Sequence, residues 1–301
     1  MKHLLCLGLG FSARALVRRL SCEEGADWRF SGTVRDVDAA TPDDGQAVEL
    51  IAFDGTAHSS ALADAIGSAT HILVSIPPSA DGDPVLQHHR SDIEKALADG
   101  PLQWIGYLST IGVYGDQGGA WVDETTPAQP TSQRSQFRLQ AERAWLELMP
   151  DTPTAPPAVQ VFRLAGIYGP GRSAIDQVRS GRARRIIKPG QVFNRIHVDD
   201  IAAVLARAMA GEGTKTIYNL ADDEPAPPQD VIALAAELLG QPVPPGIPFE
   251  EADLSPMGKS FYAELKRVRN TRIKEDLGVA LRYPTYREGL AGIAQAAEKN
   301  S

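Results

Sequence analysis

The 301-residue chain is expected to fold as a doubly wound α/β protein: a parallel sheet with helices on both faces, and a smaller mixed C-terminal lobe. Three observations predict this. Lys2 to Leu20 reads as a short apolar strand, a glycine turn and an amphipathic helix. Apolar runs of strand length then recur as far as Leu164, separated by helical stretches, at the spacing of right-handed βαβ units. Beyond Gly169 the pattern changes to short pieces with frequent turns and prolines.

The first unit is the most informative. The run Leu4 to Leu7 stops at Gly8, and Ala13, Leu16, Val17 and Leu20 form an i, i+3, i+4, i+7 stripe. Between them lies Gly8-Leu9-Gly10-Phe11-Ser12-Ala13, a G-x-G-x-x-A turn. In such a turn Gly8 permits the tight bend, Gly10 lets the backbone approach a pyrophosphate, and the small Ala13 lets helix pack on strand. The helix N-terminus adds unpaired N–H groups and a positive dipole end. A dinucleotide is therefore the expected ligand of Gly8 through Ala13.

Strands are expected at Trp28 to Val34, Ala47 to Phe53, His71 to Ile76, Leu102 to Leu108 and Val159 to Leu164, with helices at Ser59 to Ile66 and Asp92 to Ala98. A loop from Gly115 to Thr131 precedes a helix presenting Phe137, Ala141, Ala144 and Leu148 on one face, and a proline-rich connector spans 150–157. Ile196 to Met209 carries a helical face, capped by Asp199 or Asp200, and Thr216 to Ala221 returns to the main sheet. Helices are expected at Val231 to Leu239, Arg272 to Leu277 and Arg287 to Ala297.

Composition narrows the function. Hydrophobic residues at 43% and charged residues at 23% are ordinary for a soluble globular chain. A formal net charge of −8 argues against nucleic-acid and membrane partners. The first apolar run is too short for a signal peptide and leads into Arg14, Arg18 and Arg19, and no run approaches a membrane span. Cys6 and Cys22 have neither disulfide nor metal spacing and suit a reducing, cytoplasmic setting. No metal spacing is found among the six histidines, and the His88-His89 pair is expected on the surface.

Four further segments occur in order: LSTIGVYGD at 108–116, FRLAGIYGPGR at 162–172, RIHVDDIA at 195–202 and KRVRNTRIKEDLGVALRYPTYREGL at 266–290. Together with GLGFSA they resemble the extended short-chain dehydrogenase/reductase superfamily, in its NAD-dependent epimerase/dehydratase branch. The resemblance covers nearly the whole chain. It implies a Rossmann domain over 1–169 and 194–222, and a substrate-binding lobe over 170–193 and 223–301. It also implies an oxidoreductase acting on a small molecule such as a nucleotide sugar.

One departure bears on chemistry. The family uses a Tyr-x-x-x-Lys pair on the helix after the fifth strand, and the Leu-x-Ala-Glu ending of 134–142 places Arg134 at the Tyr position and Arg138 at the Lys position. Arginine stays protonated at any useful pH, so Arg134 cannot move the proton that Tyr moves. Arg138 can still hydrogen bond the ribose of a nicotinamide nucleotide; otherwise the two are exposed helix arginines. The literal match Tyr262-Ala-Glu-Leu-Lys266 falls in the C-terminal lobe and reads as a coincidence.

The remaining expectations concern the ends of strands. Arg35 closes the second strand where an arginine can pair with a 2′-phosphate, which favours NADP, with NAD the alternative through Asp36. The family places an acid near the adenine at Asp54, which also reads as a turn residue before Gly55. Ser75, Ile76 and Pro77 are expected on the adenosine side, and Ile167 near the nicotinamide. Thr110, at the Ser/Thr position of the family motif, and Tyr114 are the catalytic candidates, with packing the competing role for Tyr114. Tyr168 stands at the lobe junction, and His197 reads as a core residue. A non-catalytic NADP(H) sensor is the rival function, and the sequence sets no oligomeric state.

Overall fold

A computed structural model describes residues 1–24, 27–38, 47–149 and 158–299; the connector at 150–157 lies outside them. The elements run β1 (Lys2–Leu7), α1 (Phe11–Glu24), β2 (Trp28–Val34), β3 (Val48–Ala52), α2 (Ser60–Ser68), β4 (His71–Val74), α3 (Pro84–Ala98) and β5 (Trp104–Thr110). They continue with β6 (Trp121–Val122), α4 (Gln133–Leu146), β7 (Val159–Leu164), β8 (Gly166–Tyr168), α5 (Ala174–Arg179), β9 (Arg185–Ile187), β10 (Arg195–His197) and α6 (Val198–Met209). The remainder is β11 (Ile217–Leu220), α7 (Pro228–Leu238), β12 (Gly246–Pro248), α8 (Pro256–Tyr262), β13 (Arg267–Val268), α9 (Thr271–Glu275) and α10 (Tyr286–Lys299).

Among the described residues the main sheet has seven strands in the order β11-β7-β5-β4-β1-β2-β3, every pair parallel. Both faces of β1 are covered: Leu4 and Cys6 join the core under α1 and α6, and Leu5 and Leu7 join the core under α2, α3 and α4. That two-sided burial is why the strand reads as a continuous apolar run rather than an alternating one. A third cluster, including Ile175, Val231, Ala235, Tyr286 and Leu290, belongs to later elements. The chain leaves β1 toward β2 and leaves β4 toward β5, on opposite sides, so the crevice of a doubly wound sheet opens beyond Leu7 and Val74.

Several local expectations are corrected. Helix α3 begins at Pro84, not Asp92, because the Asp83 carboxylate caps Val85 and Leu86 N–H at 2.9 and 3.2 Å. On the α4 face Ala141, Ala144 and Leu148 pack on the core as expected, but Phe137 is only half-buried, and Glu142, paired with Arg163, and Trp145 are buried instead. The cap of α6 is neither Asp199 nor Asp200 but His197, whose Nδ1 accepts from Asp199 N–H at 3.2 Å. His89 is fully buried rather than on the surface, its ring edge-on to Phe53 at 5.5 Å. The loop from Gly115 to Thr131 contains β6, which pairs with β13.

Candidate active-site cleft

The glycine turn is anchored before it meets any ligand. Gly8 has φ +94, and its N–H donates to the Thr33 hydroxyl at 2.7 Å, while Leu9 N–H donates to the Thr33 carbonyl at 3.0 Å. A Cβ at Gly8 would lie 2.7 Å from the Ser75 hydroxyl, which itself donates to the Gly8 carbonyl at 2.6 Å. Both the conformation and the space therefore require glycine. Gly10 is different: a Cβ there meets nothing within 4 Å. The open ground faces the N-terminus of α1, where the first N–H groups lack intrahelical partners. Leu9 and Ala13 are buried under the turn, so they shape it from behind.

A cleft of about 1130 Å³ extends from this turn. Gly10, Phe11, Ser12 and Ser75 line it from the glycine turn and the end of β4, Thr110 from β5, Arg134 and Arg138 from α4, Ile167 and Tyr168 from β8, and Tyr262 from α8. Thr110 is half-buried, and its hydroxyl oxygen accepts from Gly112 N–H at 3.1 Å, which leaves its own proton for donation into the cleft. Arg138 donates from Nη1 to the Tyr107 hydroxyl at 3.1 Å and to the Leu108 carbonyl at 3.0 Å. Arg134 is exposed, with its guanidinium over the Phe261 ring at 4.9 Å.

The other sequence candidates are placed as follows. Tyr114 is fully buried and does not line the cleft; its hydroxyl donates to Asn219 Oδ1 at 2.7 Å, and burial raises its pKa. Arg35 is exposed beyond the end of β2, and the Asp36 carboxylate accepts from Asp38 N–H at 2.9 Å. The Asp54 carboxylate is held by the Thr56 hydroxyl at 2.7 Å and its N–H at 2.9 Å, an arrangement that lowers its pKa and belongs to a turn. Ile76 is half-buried and Pro77 exposed; neither lines the cleft. His197 is buried, its Nε2 lacks a partner among the described residues, and burial depresses its pKa to about 4.

Behind Thr110 stands a charged layer that the sequence reading missed. Arg163 on β7 and Glu142 on α4 form a buried pair at 2.7 and 3.1 Å, and Glu142 also accepts from the Ser109 hydroxyl at 2.5 Å. The Arg163 guanidinium lies 4.9 Å over the Tyr114 ring. The signal was present in the Leu-x-Ala-Glu ending and in an arginine inside an apolar strand.

The C-terminal Tyr262 and Lys266 both border the cleft, which the sequence reading did not anticipate. They do not form a pair. Tyr262 ends α8, whereas the Lys266 ammonium is held by the Gly115 carbonyl at 2.7 Å and the Glu264 carboxylate at 2.5 Å. The Tyr262 hydroxyl has no partner among the described residues, and burial raises its pKa. Elsewhere His58, His89 and Asp92 come together at metal-like distances. Ser59 N–H donates to His89 Nε2 at 3.3 Å, so His89 Nδ1 carries the proton it gives to Asp92 at 2.8 Å; both ring nitrogens are spent.

Parallel sheet, switch-point crevice and glycine turn together define a Rossmann-type α/β protein. No protein-family model matches the chain. A solved structure of a functionally unknown conserved protein from Silicibacter pomeroyi is 49% identical, covers 99% of this chain and all of that one, and superposes with a TM-score of 0.86. A protein from Methylobacillus flagellatus assigned as an NAD-dependent epimerase/dehydratase is 25% identical over 99% and 98% of the two chains, with a TM-score of 0.69. Protein YeeZ of Escherichia coli K12 is 28% identical across 94% of this chain and 97% of its own. More distant structures, 16–18% identical with TM-scores of 0.72–0.74, share the fold and include a dTDP-glucose 4,6-dehydratase and a UDP-glucuronic acid 4-epimerase, each in complex with NAD. Over nearly its whole length the chain is thus similar to a protein assigned as an NAD-dependent epimerase/dehydratase, and it carries Arg134 and Arg138 where the sequence resemblance implies a Tyr-x-x-x-Lys pair. Among the described residues no helix is long and apolar enough to cross a membrane.

Proposed function

We propose that the chain binds a nicotinamide dinucleotide, NADP in preference to NAD, and acts as an oxidoreductase of the nucleotide-sugar epimerase, dehydratase or reductase type. The observation that carries this reading is the open ground before Gly10, continuous in one cleft with Thr110 and Ile167. The residues present fit the group: backbone N–H at α1 for the pyrophosphate, Arg35 for a 2′-phosphate, and Ser75, its proton given to the Gly8 carbonyl, as a wall and acceptor on the adenosine side. Bound there, the cofactor supplies hydride-transfer chemistry.

The protein's own part is positioning. Thr110 donates a hydrogen bond to a substrate oxygen. Arg138 offers its unused N–H donors to the nicotinamide ribose, the part of the Lys role that an arginine can keep. Arg134 orients without exchanging a proton. Tyr114 packs against Arg163 and takes no part in the reaction. Ile167 and Tyr168 wall the cleft on the substrate side. The second reading, an NADP(H) sensor, is favoured by the same arginine replacement. Pure protein mixed with NADPH and a panel of nucleotide sugars and simple carbonyl compounds separates the two. A net loss of nicotinamide absorbance supports a reductase, and an epimerised or dehydrated product formed with the cofactor regenerated and the absorbance unchanged supports an epimerase or dehydratase; binding without product across the panel supports the sensor.

A further inference from the structure

The cleft carries more positive charge than a dinucleotide uses. The cofactor pyrophosphate is assigned to backbone N–H groups at α1, with Arg172 over Phe11 at 5.7 Å as the neighbouring cation. Arg134 and Arg138 line the same cleft from α4, in a chain whose formal net charge is −8, and the ribose contact proposed for Arg138 leaves its charge uncompensated. Among the described residues neither has an ion-pair partner within 4.0 Å. Like charges four apart on a helix repel, and the carboxylate that acts on Arg138, Asp83, caps α3 and accepts from Trp145 rather than forming an ion pair with that arginine.

The local donors are already aimed. The Arg138 guanidinium is fixed by two bonds from Nη1, to Tyr107 and Leu108, so its remaining N–H groups have a set direction without a protein acceptor. Arg134 is steadied from across the cleft mouth by the ring of Phe261. Between them Ser135 is only 3% exposed; its oxygen accepts from the Ser132 hydroxyl at 2.9 Å, which leaves its proton unspent. Arg134, Ser135 and Arg138 thus all line the cleft, and among the described residues the Ser135 hydroxyl proton and the Arg138 donors outside Nη1 have no protein acceptor.

We propose that Arg134 and Ser135, with the charge of Arg138 behind them, form an oxyanion subsite for the substrate. The reacting portion of that substrate then bears a carboxylate or a phosphoryl group next to the carbon presented to Thr110. The inference rests on the substrate-binding cleft of the proposed function, and it names the chemical class that function leaves open. A planar guanidinium matches either anion with paired N–H···O bonds. A neutral hexose at the same place would leave both charges uncompensated.

The test uses the full chain loaded with NADP and titration calorimetry. UDP-glucuronic acid is expected to bind about 10-fold or more tightly than UDP-glucose, the scale of one charge-assisted contact. Arg134→Gln should erase most of that preference, Arg134→Lys should restore part of it, and neither should change NADP affinity. Because Arg134 is exposed, these variants keep the fold, which an unchanged unfolding midpoint verifies. Equal affinity for the two sugars in the parent chain, or a preference that survives both Arg134→Gln and Arg138→Gln, overturns the subsite while the nucleotide-sugar reading stands. If neither sugar nucleotide binds, that reading fails on its own, and oxalate and inorganic phosphate become the probes. Binding of either that is lost in Arg134→Gln upholds the subsite and tells carboxylate from phosphoryl. Binding of neither, or binding indifferent to Arg134, overturns it.

Discussion

The two ends of the cleft are built from different materials. At the glycine turn the functional groups are backbone N–H, and the side chains matter by being small or absent, as at Gly8 and Gly10. At α4 the functional groups are long cationic side chains, held by partners from two other segments: Tyr107 and Leu108 for Arg138, and Phe261 for Arg134. Backbone sites are encoded within a dozen consecutive residues. Side-chain sites are assembled across the chain, and one substitution can redirect them without disturbing the sheet.

The largest expected effect lies at the assembled end. Glu142→Ala would leave the Arg163 charge buried and unpaired and would strip the Ser109 hydroxyl of its acceptor. Breaking such a pair costs about 3–5 kcal/mol, read as a lower denaturation midpoint. A midpoint within error of the parent would mean that the wall behind Thr110 does not depend on this pair, and the contrast between the two ends would lose its basis.

At the backbone end the expected loss is of binding rather than of fold. Gly10→Val places a branched side chain where the pyrophosphate is proposed to approach, but a Cβ at that position meets nothing within 4 Å of the protein itself. Dinucleotide affinity should fall about 100-fold or more, which is about 2.7 kcal/mol, while the thermal midpoint stays near that of the parent. Dinucleotide affinity equal to the parent's, in a folded variant, would remove the central claim.

Arg35→Ala tests the one charged side chain assigned to the backbone end. A charge-assisted contact with a 2′-phosphate is worth about 1.5–3 kcal/mol, and the loss should fall on NADP and spare NAD. Equal losses for the two cofactors would show that the exposed guanidinium does not read the phosphate. The neighbouring Asp36 carboxylate is engaged with Asp38 N–H, so it is a poor substitute as a ribose acceptor.

This contrast also explains what the sequence disclosed. The bounds of β2 and β7 and the turn at Gly8 could be read directly, because apolar runs and glycine spacing are local consequences of burial and backbone geometry. The packing face of α4 could be read in part: Ala141, Ala144 and Leu148 pack on the core, whereas Glu142 is polar by type and is buried only because Arg163 meets it from β7. The start of α3 was hidden for a similar reason: Asp83 accepts from Trp145, sixty-two residues on, as well as from its own helix. Tyr114 was drawn into the candidate site by its motif, and the distant Asn219 and Arg163 hold it in the core. Tyr262 lies far along the chain from the glycine turn, yet α8 carries it to the cleft lining.

The smallest expected effect is also the sharpest for the comparison. Converting Arg134→Tyr together with Arg138→Lys places on α4, one turn apart, the Tyr and Lys that the sequence resemblance implies there. The lysine keeps a ribose-directed donor and can still reach toward the Leu108 carbonyl that Arg138 now holds. The tyrosine removes the charge over Phe261 and replaces one ring contact with another. If the glycine turn governs cofactor binding, dinucleotide affinity should stay within about 0.5 kcal/mol of the parent, the usual range for changes that touch no such contact. The preference for an acidic ligand should fall in the same variant, because half of the charge that supports it is gone. Dinucleotide affinity that fell with the acidic preference would place both ligands on the arginines, and the two ends of the cleft would have to be treated as one site.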